Sequence, residues 1–285
     1  MFGRFSLTLA VALATAPLHA EEMQQQVDAA FEAVATAVAE AGLDPVISID
    51  HARLASAAGI EMPASRVQIF SDPDLDSAIL SAEIRSGLDL PFRVLSYDGA
   101  GALAVMTTDA AFLMARHGLA SSDALEGWDA RLDAVLTPVN ESATTAPVGT
   151  LSRDYGIIEL ASPYGLAESI QRLKDAILAQ GDTIWFGEHD FRARAEARGI
   201  TLPGATLLLF GGPAPGGVAM AEFLSIGLDA FCQKLFVYER EDGSVFVLFN
   251  GIAALSELHY GRSDKPHAAL DARLAQTFSE ALTRQ

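Results

Sequence analysis

Gly199-Ile200-Thr201-Leu202-Pro203, Phe210-Gly211-Gly212-Pro213 and Gly227-Leu228-Asp229 recur earlier in the chain as Gly59-Ile60-Glu61-Met62-Pro63, Phe70-Ser71-Asp72-Pro73 and Gly87-Leu88-Asp89. The spacings recur too: ten residues separate the two prolines in either copy, and fourteen separate the second proline from the Gly-Leu-Asp glycine. Tyr97, Gly101 and His117 extend the match to Tyr238, Gly243 and His259, with sixteen residues from glycine to histidine both times. Upstream, Asp50-His51 pairs with Glu188-His189, leaving a two-residue length difference before Gly59 and Gly199, where a loop or helix end is expected. A repeat of this kind decides the fold class before any local pattern does, because each copy buries its apolar faces in the same way.

In the second copy the apolar run Ile157–Leu160 reads as a strand. A helix capped by Ser162, with Pro163 at its first position, is expected next, its apolar stripe made by Leu166, Ile170, Leu173 and Ile177. Thr183–Gly187 reads as a strand, His189–Arg198 as a short helix closed by Gly199, and Ala205–Phe210 as a buried strand. After Pro213 a loop and then a helix to about Ser225 are expected, Lys234–Glu239 and Ser244–Phe249 form a hairpin through Asp242-Gly243, and helices Ile252–Leu258 and Ala268–Leu282 follow. The first copy repeats the order: helix Val27–Ala41, strand Val46–Ile49, helix Ala52–Ala58, strand Arg66–Phe70, helix Leu75–Ile84, strands Phe92–Tyr97 and Ala102–Thr107, then helices Ala110–Arg116 and Ser122–Val135. It has no counterpart of Ile157–Leu160, so its sheet edge is expected to be open or covered by the other copy. Thr137–Thr150 lacks periodicity and reads as a linker. The expected architecture is α+β: two homologous modules, residues 21–136 and 151–285, each a mainly antiparallel sheet with helices packed on it, arranged as a pseudo-dimer.

Residues 1–20 read as a secretory signal, with Arg4 ahead of the apolar stretch Phe5–Ala16 and a cleavage site at Pro17-Leu18-His19-Ala20. The expected location is therefore periplasmic or secreted. With 19 basic against 37 acidic residues the chain carries a formal charge of −18, which repels nucleic acid and anionic membrane surfaces. Downstream of the leader no apolar run approaches the roughly 20 residues a spanning helix needs. Cys232 is the single cysteine, which rules out an intramolecular disulfide, and its setting in a strand pattern reads as a small buried hydrophobe.

On the motifs quoted above, with Gly87-Leu88-Asp89-Leu90-Pro91 and Gly227-Leu228-Asp229-Ala230-Phe231, the chain resembles the domain-of-unknown-function 302 family over nearly all of both halves. The resemblance implies a compact α+β fold, often dimeric, and implies no activity. Ser71-Asp72 in the first copy and Ala230-Phe231 in the second depart from the family pattern.

The polar residues kept in both copies are the candidate ligand-binding set: Asp50, His51, Asp89 and Tyr97, with Glu188, His189, Asp229 and Tyr238. Imidazoles also ligate metals and haem, so His51, His189, His117 and His259 are the metal candidates, each acid-His pair offering a ligand and a supporting carboxylate. The bland reading gives the histidines helix-end and turn roles, the aspartates turn amides and the tyrosines packing. No His-Glu-x-x-His cluster and no Gly-x-Ser-x-Gly elbow occurs, so neither a zinc hydrolase nor covalent catalysis by serine is indicated. The glycine-rich stretch Leu209–Gly217 resembles a phosphate cradle, but its counterpart Phe70–Asp76 carries Asp72, Asp74 and Asp76, so both read as turns that start a helix. Three functions stay open: a non-enzymatic protein binding a small molecule or envelope partner at a cleft, a metal- or haem-binding accessory protein using His51 and His189, and a structural envelope protein. No cofactor is assigned.

Overall fold

The computed structural model describes residues 15–283. Most of the expected signal, residues 1–14, lies outside them. The first module comprises α1 (Thr15–Glu40), β1 (Asp44–Asp50), α2 (His51–Ala57), β2 (Ser65–Ser71), α3 (Pro73–Ala82), β3 (Phe92–Asp98), β4 (Leu103–Thr107), α4 (Ala110–His117) and α5 (Asp123–Leu136). After it come β5 (Ala143–Thr145) and β6 (Ile157–Ser162). The second module continues with α6 (Leu166–Leu178), β7 (Ile184–Asp190), α7 (Phe191–Glu196), β8 (Ala205–Gly211), α8 (Pro213–Met220), β9 (Gln233–Glu239), β10 (Val245–Asn250), α9 (Ile252–Tyr260) and α10 (Lys265–Ala281). Short 3-10 turns at Ile84–Leu88 and Leu224–Leu228 follow α3 and α8.

Two five-stranded sheets result, ordered β1-β2-β3-β4-β5 and β7-β8-β9-β10-β6, and every pairing is antiparallel except β4 with β5. One face of each sheet packs on its own long helices. In the first module Val27, Phe31, Val34 and Val38 form the buried stripe of α1, and Phe92 stacks on Trp128 of α5 and on Phe70. The opposite face meets the other module: the 3-10 turn after α8 lies on β3 and β2, the turn after α3 lies on β9 and β8, α2 packs on α8, and α3 on α7. Each contact between modules has a partner with the copies exchanged, which is the contact pattern of a pseudo-twofold dimer.

Thr137–Thr150 is more than a linker. Its β5 runs parallel to β4, with Val105 opposite Ala143 and Thr107 opposite Thr145, so the first sheet's edge is neither open nor covered by the second module. The same position beside β10 is held by β6, which runs antiparallel and precedes its module's first helix. Both modules thus cover the fifth position, one with chain that enters the module and the other with chain that leaves it.

Ser162 also departs from expectation. It ends β6 and does not cap a helix, since Gly165 takes the cap position of α6, while the Ser162 hydroxyl accepts from Tyr164 N–H at 3.2 Å and lies 2.7 Å from Ser169 Oγ. The last helix starts at Lys265, where Asp264 N–H donates to His267 Nδ1 at 3.0 Å.

Candidate functional site

Strand register corrects the pairing of the two acid-His dipeptides. Asp50 opposes Arg66 and Asp190 opposes Thr206, and Arg66 and Thr206 each stand three residues after the matched prolines Pro63 and Pro203. A register shift falls at the same place in β1 and β7, between Pro45 and Ile47 and between Trp185 and Gly187. The structural counterpart of Asp50-His51 is therefore Asp190-Phe191, and His189 corresponds to Ile49. The two-residue length difference vanishes. Asp50 and Asp190 share a local task, accepting from Arg53 N–H at 2.8 Å and Ala193 N–H at 2.9 Å to cap α2 and α7.

The eight candidates do not converge on one pocket. Asp50 faces outward with Arg53, and Glu188 pairs with Lys174 at 2.6 Å. His51 is buried between the modules with Nδ1 3.0 Å from Ser65 Oγ, and His189 packs edge-on against Phe191. Burial lowers His51 to about 4, against the opposing pull of Asp50 and the Phe231 backbone, and burial with nearby Arg194 lowers His189 to about 3. Both rings are neutral at pH 7. Tyr238 stacks between Phe236 and Phe246, and burial raises the half-buried Tyr97 hydroxyl to about 12.

Only Asp89 and Asp229 meet, and they do so through the opposite module. Each Gly-Leu-Asp segment ends its 3-10 turn against the other module's central strand. A Cβ on Gly87 would sit 2.2 Å from Phe236 Cζ, and one on Gly227 would sit 2.6 Å from Met220 Cε and 3.3 Å from Leu95 Cδ1. Leu95 and Phe236 are register equivalents, so both glycines are required by the same close approach. The aspartates beyond them enter an ionic cluster with Arg93, Arg116, Lys234, His117, His259 and Asn250, all of them buried except His259, whose backbone is partly exposed but whose side chain is not.

Arg93 and Lys234, matched residues of β3 and β9, cross the pseudo-twofold axis. Arg93 Nη2 donates to Asp229 Oδ1 at 2.9 Å and stands 3.5 Å from Asp89 Oδ1, while Lys234 Nζ lies 4.0 Å from the same Asp89 oxygen. Asp89 is held further by its own module: Arg116 Nη1 donates to both carboxylate oxygens at 2.9 and 2.8 Å, and His117 Nε2 is 2.7 Å from Oδ2. Arg116 also donates to Asn250 Oδ1 at 2.7 Å and to the Tyr155 carbonyl at 3.0 Å. His259 Nε2 stands 3.4 Å from Asp229 Oδ2, and Asn250 Nδ2 donates to the Asp229 carbonyl at 2.9 Å. Burial alone would raise Asp89, but Arg116, His117 and Lys234 outweigh it and hold the carboxyl well below the usual range; Asp229 is lowered against the same burial by His259, Arg93 and Lys234.

Sequence reasoning missed Arg93, Arg116, Lys234 and Asn250. A signal existed for two of them: Phe92-Arg93-Val94-Leu95 and Gln233-Lys234-Leu235-Phe236 each place a cation inside an otherwise apolar strand. A cation there must be paired or become neutral. His267, outside the repeat, is fully engaged, with Nδ1 accepting from Asp264 N–H and Nε2 2.9 Å from the Ala219 carbonyl.

Two crevices flank the glycine-rich turn at the start of α8. One lies between the modules with about 30 Å³ of free space and is lined by His51, Met62, Phe186, Met220, Phe231 and Cys232 among others. The other lies within the second module, also with about 30 Å³ of free space, beside Phe210, Gln233, Arg273 and Phe278. Burial raises the Cys232 thiol to about 12, so it faces the first crevice protonated. Among the described residues no group of three or more His, Cys, Asp or Glu is placed to hold a metal ion.

The fold defines a class: an α+β module duplicated in one chain and closed face to face by a buried ionic cluster. The family model described as "Domain of unknown function DUF302" matches residues 19–138 and 158–282, and the chain belongs to this family in two tandem copies. Among curated proteins, the chain is similar to "Fluoride-specific ion channel FluC 1" of Brucella suis biovar 1, 31% identical over 102 residues that cover 35% of this chain and 40% of that protein. The protein of the same name from Brucella abortus biovar 1 matches equally, with 38% of its length covered, so the chain spans about two fifths of these relatives. Among solved structures, the uncharacterized conserved protein DUF302 from Bacillus stearothermophilus is similar at 17% identity with a TM-score of 0.37, covering 45% of this chain and 95% of that one.

Proposed function

We propose that this is an exported, non-enzymatic binding protein that takes a small, uncharged, largely apolar molecule in the crevice between its modules. The observation that carries the reading is a difference between the copies in one turn. Where the first copy has Ser71, Asp72, Asp76 and Ser77, the second has Gly211, Gly212, Gly216 and Gly217, and the two crevices lie along these glycines. The inter-module crevice draws His51 and Met62 from one module and Phe186, Met220 and Phe231 from the other, so an occupant would bridge them. An apolar wall with one neutral imidazole suits an uncharged ligand carrying a single hydrogen-bonding group, and because the crevice leaves only about 30 Å³ free, the occupant enters by displacing the flexible Met62 and Met220 side chains. The matched carboxylates and basic side chains that acid-base chemistry would use are closed inside the ionic cluster. Ion conduction, the activity in the Brucella relatives' name, is not carried over, because the match covers 35% of this chain.

Thermal unfolding with indole, phenol and hexanol tests the reading in the wild type and in Gly216→Asp, which copies Asp76 into the crevice. A saturable rise in midpoint of roughly 2–4 °C in the wild type, lost in the variant, is the expected result. No rise with any of the three, or an equal rise in the variant, overturns it.

A further inference from the structure

With Lys234 protonated, the ionic cluster holds more positive than negative charge. Arg93, Arg116 and Lys234 face two carboxylates, Asp89 and Asp229. The imbalance is localised. Arg116 is satisfied by both Asp89 oxygens, Asn250 and the Tyr155 carbonyl, whereas Lys234 Nζ and Arg93 Nε and Nη1 are buried without a hydrogen-bond partner among the described residues. The two cations are neighbours, since Arg93 Nη2 and Lys234 Nζ lie 3.5 and 4.0 Å from the same Asp89 oxygen. Arg93 is 1% exposed and Lys234 4%, so bulk water does not serve these donors. A buried donor left unpaired is costly, the more so when charged, so native proteins rarely keep several together without an internal water or ion.

We propose that the pseudo-twofold centre is a binding site for one small monovalent anion of the halide class, held between Arg93 and Lys234. Charge selects the valence: one negative charge balances three cations against two carboxylates, and a dianion would reverse the sign. Size selects the class, because the surrounding residues are nearly all buried and the unpartnered donors of the two strand cations lie side by side. A neutral water would meet some of these donors but leave the charge uncorrected. Burial and the neighbouring Arg93 lower the Lys234 ammonium to about 7, against the pull of Asp89 and Asp229, so a nearby anion would also keep this side chain charged at neutral pH. The site shares no lining residue with the crevice.

The test is thermal unfolding of the full chain at pH 7 in sodium fluoride, chloride or bromide against sodium gluconate at constant ionic strength, with Lys234→Met as the comparison and crystals soaked in bromide. A saturable midpoint rise of roughly 2–4 °C with at least one halide, absent in Lys234→Met, and an anomalous bromide peak between Arg93 and Lys234 are the expected results. Equal midpoints in halide and gluconate, the same halide effect in Lys234→Met, or density for ordered water only overturn the proposal. If Lys234→Met does not fold, the wild-type titration and the bromide peak decide it.

Discussion

The two modules keep the same strands and the same Gly-Leu-Asp turn, yet their aspartates are held differently. Asp89 receives a forked guanidinium and an imidazole from its own module and one cation at longer range across the axis, while Asp229 receives one guanidinium across the axis and an imidazole at 3.4 Å. The source of the difference is one position: Arg116 stands before His117 where Leu258 stands before His259. A duplicated chain can diverge in this way because each half needs to fit only the other half, whereas in a homodimer one substitution changes both sites at once. The same freedom let the second copy put glycines where the first kept Ser71, Asp72, Asp76 and Ser77.

The largest test of the comparison is removal of each aspartate. Asp89→Ala strands Arg116 and His117 together and should cost about 3–5 kcal/mol. Asp229→Ala strands chiefly Arg93 and should cost less, about 2–3 kcal/mol. Urea unfolding followed by circular dichroism measures both, and equal costs would break the asymmetry. Next come the glycines. Gly87→Ala drives a methyl into the Phe236 ring and should cost about 1–3 kcal/mol. Gly227→Ala should cost about 1 kcal/mol, because Met220, a flexible side chain, can move aside. Adding Phe236→Leu, which copies Leu95, should recover most of the Gly87→Ala loss, and failure of that rescue would show that the two turns do not dock alike.

His189 sharpens the comparison through pH. Its folded value is about 3 against an unfolded value of about 6.5, so its neutral form contributes stability that is complete above pH 6.5 and is lost as pH falls toward 3. His189→Ile, copying Ile49, should remove up to about 1.4 kcal/mol per pH unit from the slope of stability between pH 6.5 and 4. Urea midpoints across that range measure it, with His51, lowered to about 4, still titrating in the variant. The smallest expected effect is at the sheet edges: Thr144→Pro in β5 should cost about 1 kcal/mol, one net hydrogen bond, since the strand has three residues and one neighbour.

Nearly all elements were legible in the sequence because each rests on neighbours a few positions away: the stripe of α6 at Leu166, Ile170, Leu173 and Ile177, the helix end at Gly199, the hairpin at Asp242-Gly243. Ser162-Pro163 misled because a capping residue before proline is also what a strand end looks like. Three-residue β5 offered no period to read. The acid-His pairing failed for another reason: a shared dipeptide outweighed a two-residue discrepancy, and only the paired strand β2 or β8 reveals which residue stands at a given height in the sheet. Of the candidate site residues, Asp89 and Asp229 mattered for the reason given, equivalence, but their partners were invisible, since Arg93 and Asp229 are 136 residues apart.

By itself the sequence determined that the chain is built twice, where its strands and helices run, and that Asp89 and Asp229 occupy equivalent turns, because those facts are carried by short-range periodicity and by spacing within one copy. Tertiary structure alone decided which histidine matches which residue, what covers the first sheet's edge, and that two strand cations cross an axis to meet the opposite aspartates. Those are relations between surfaces far apart along the chain, set by strand pairing and by the desolvation of charges that must find partners once the faces close.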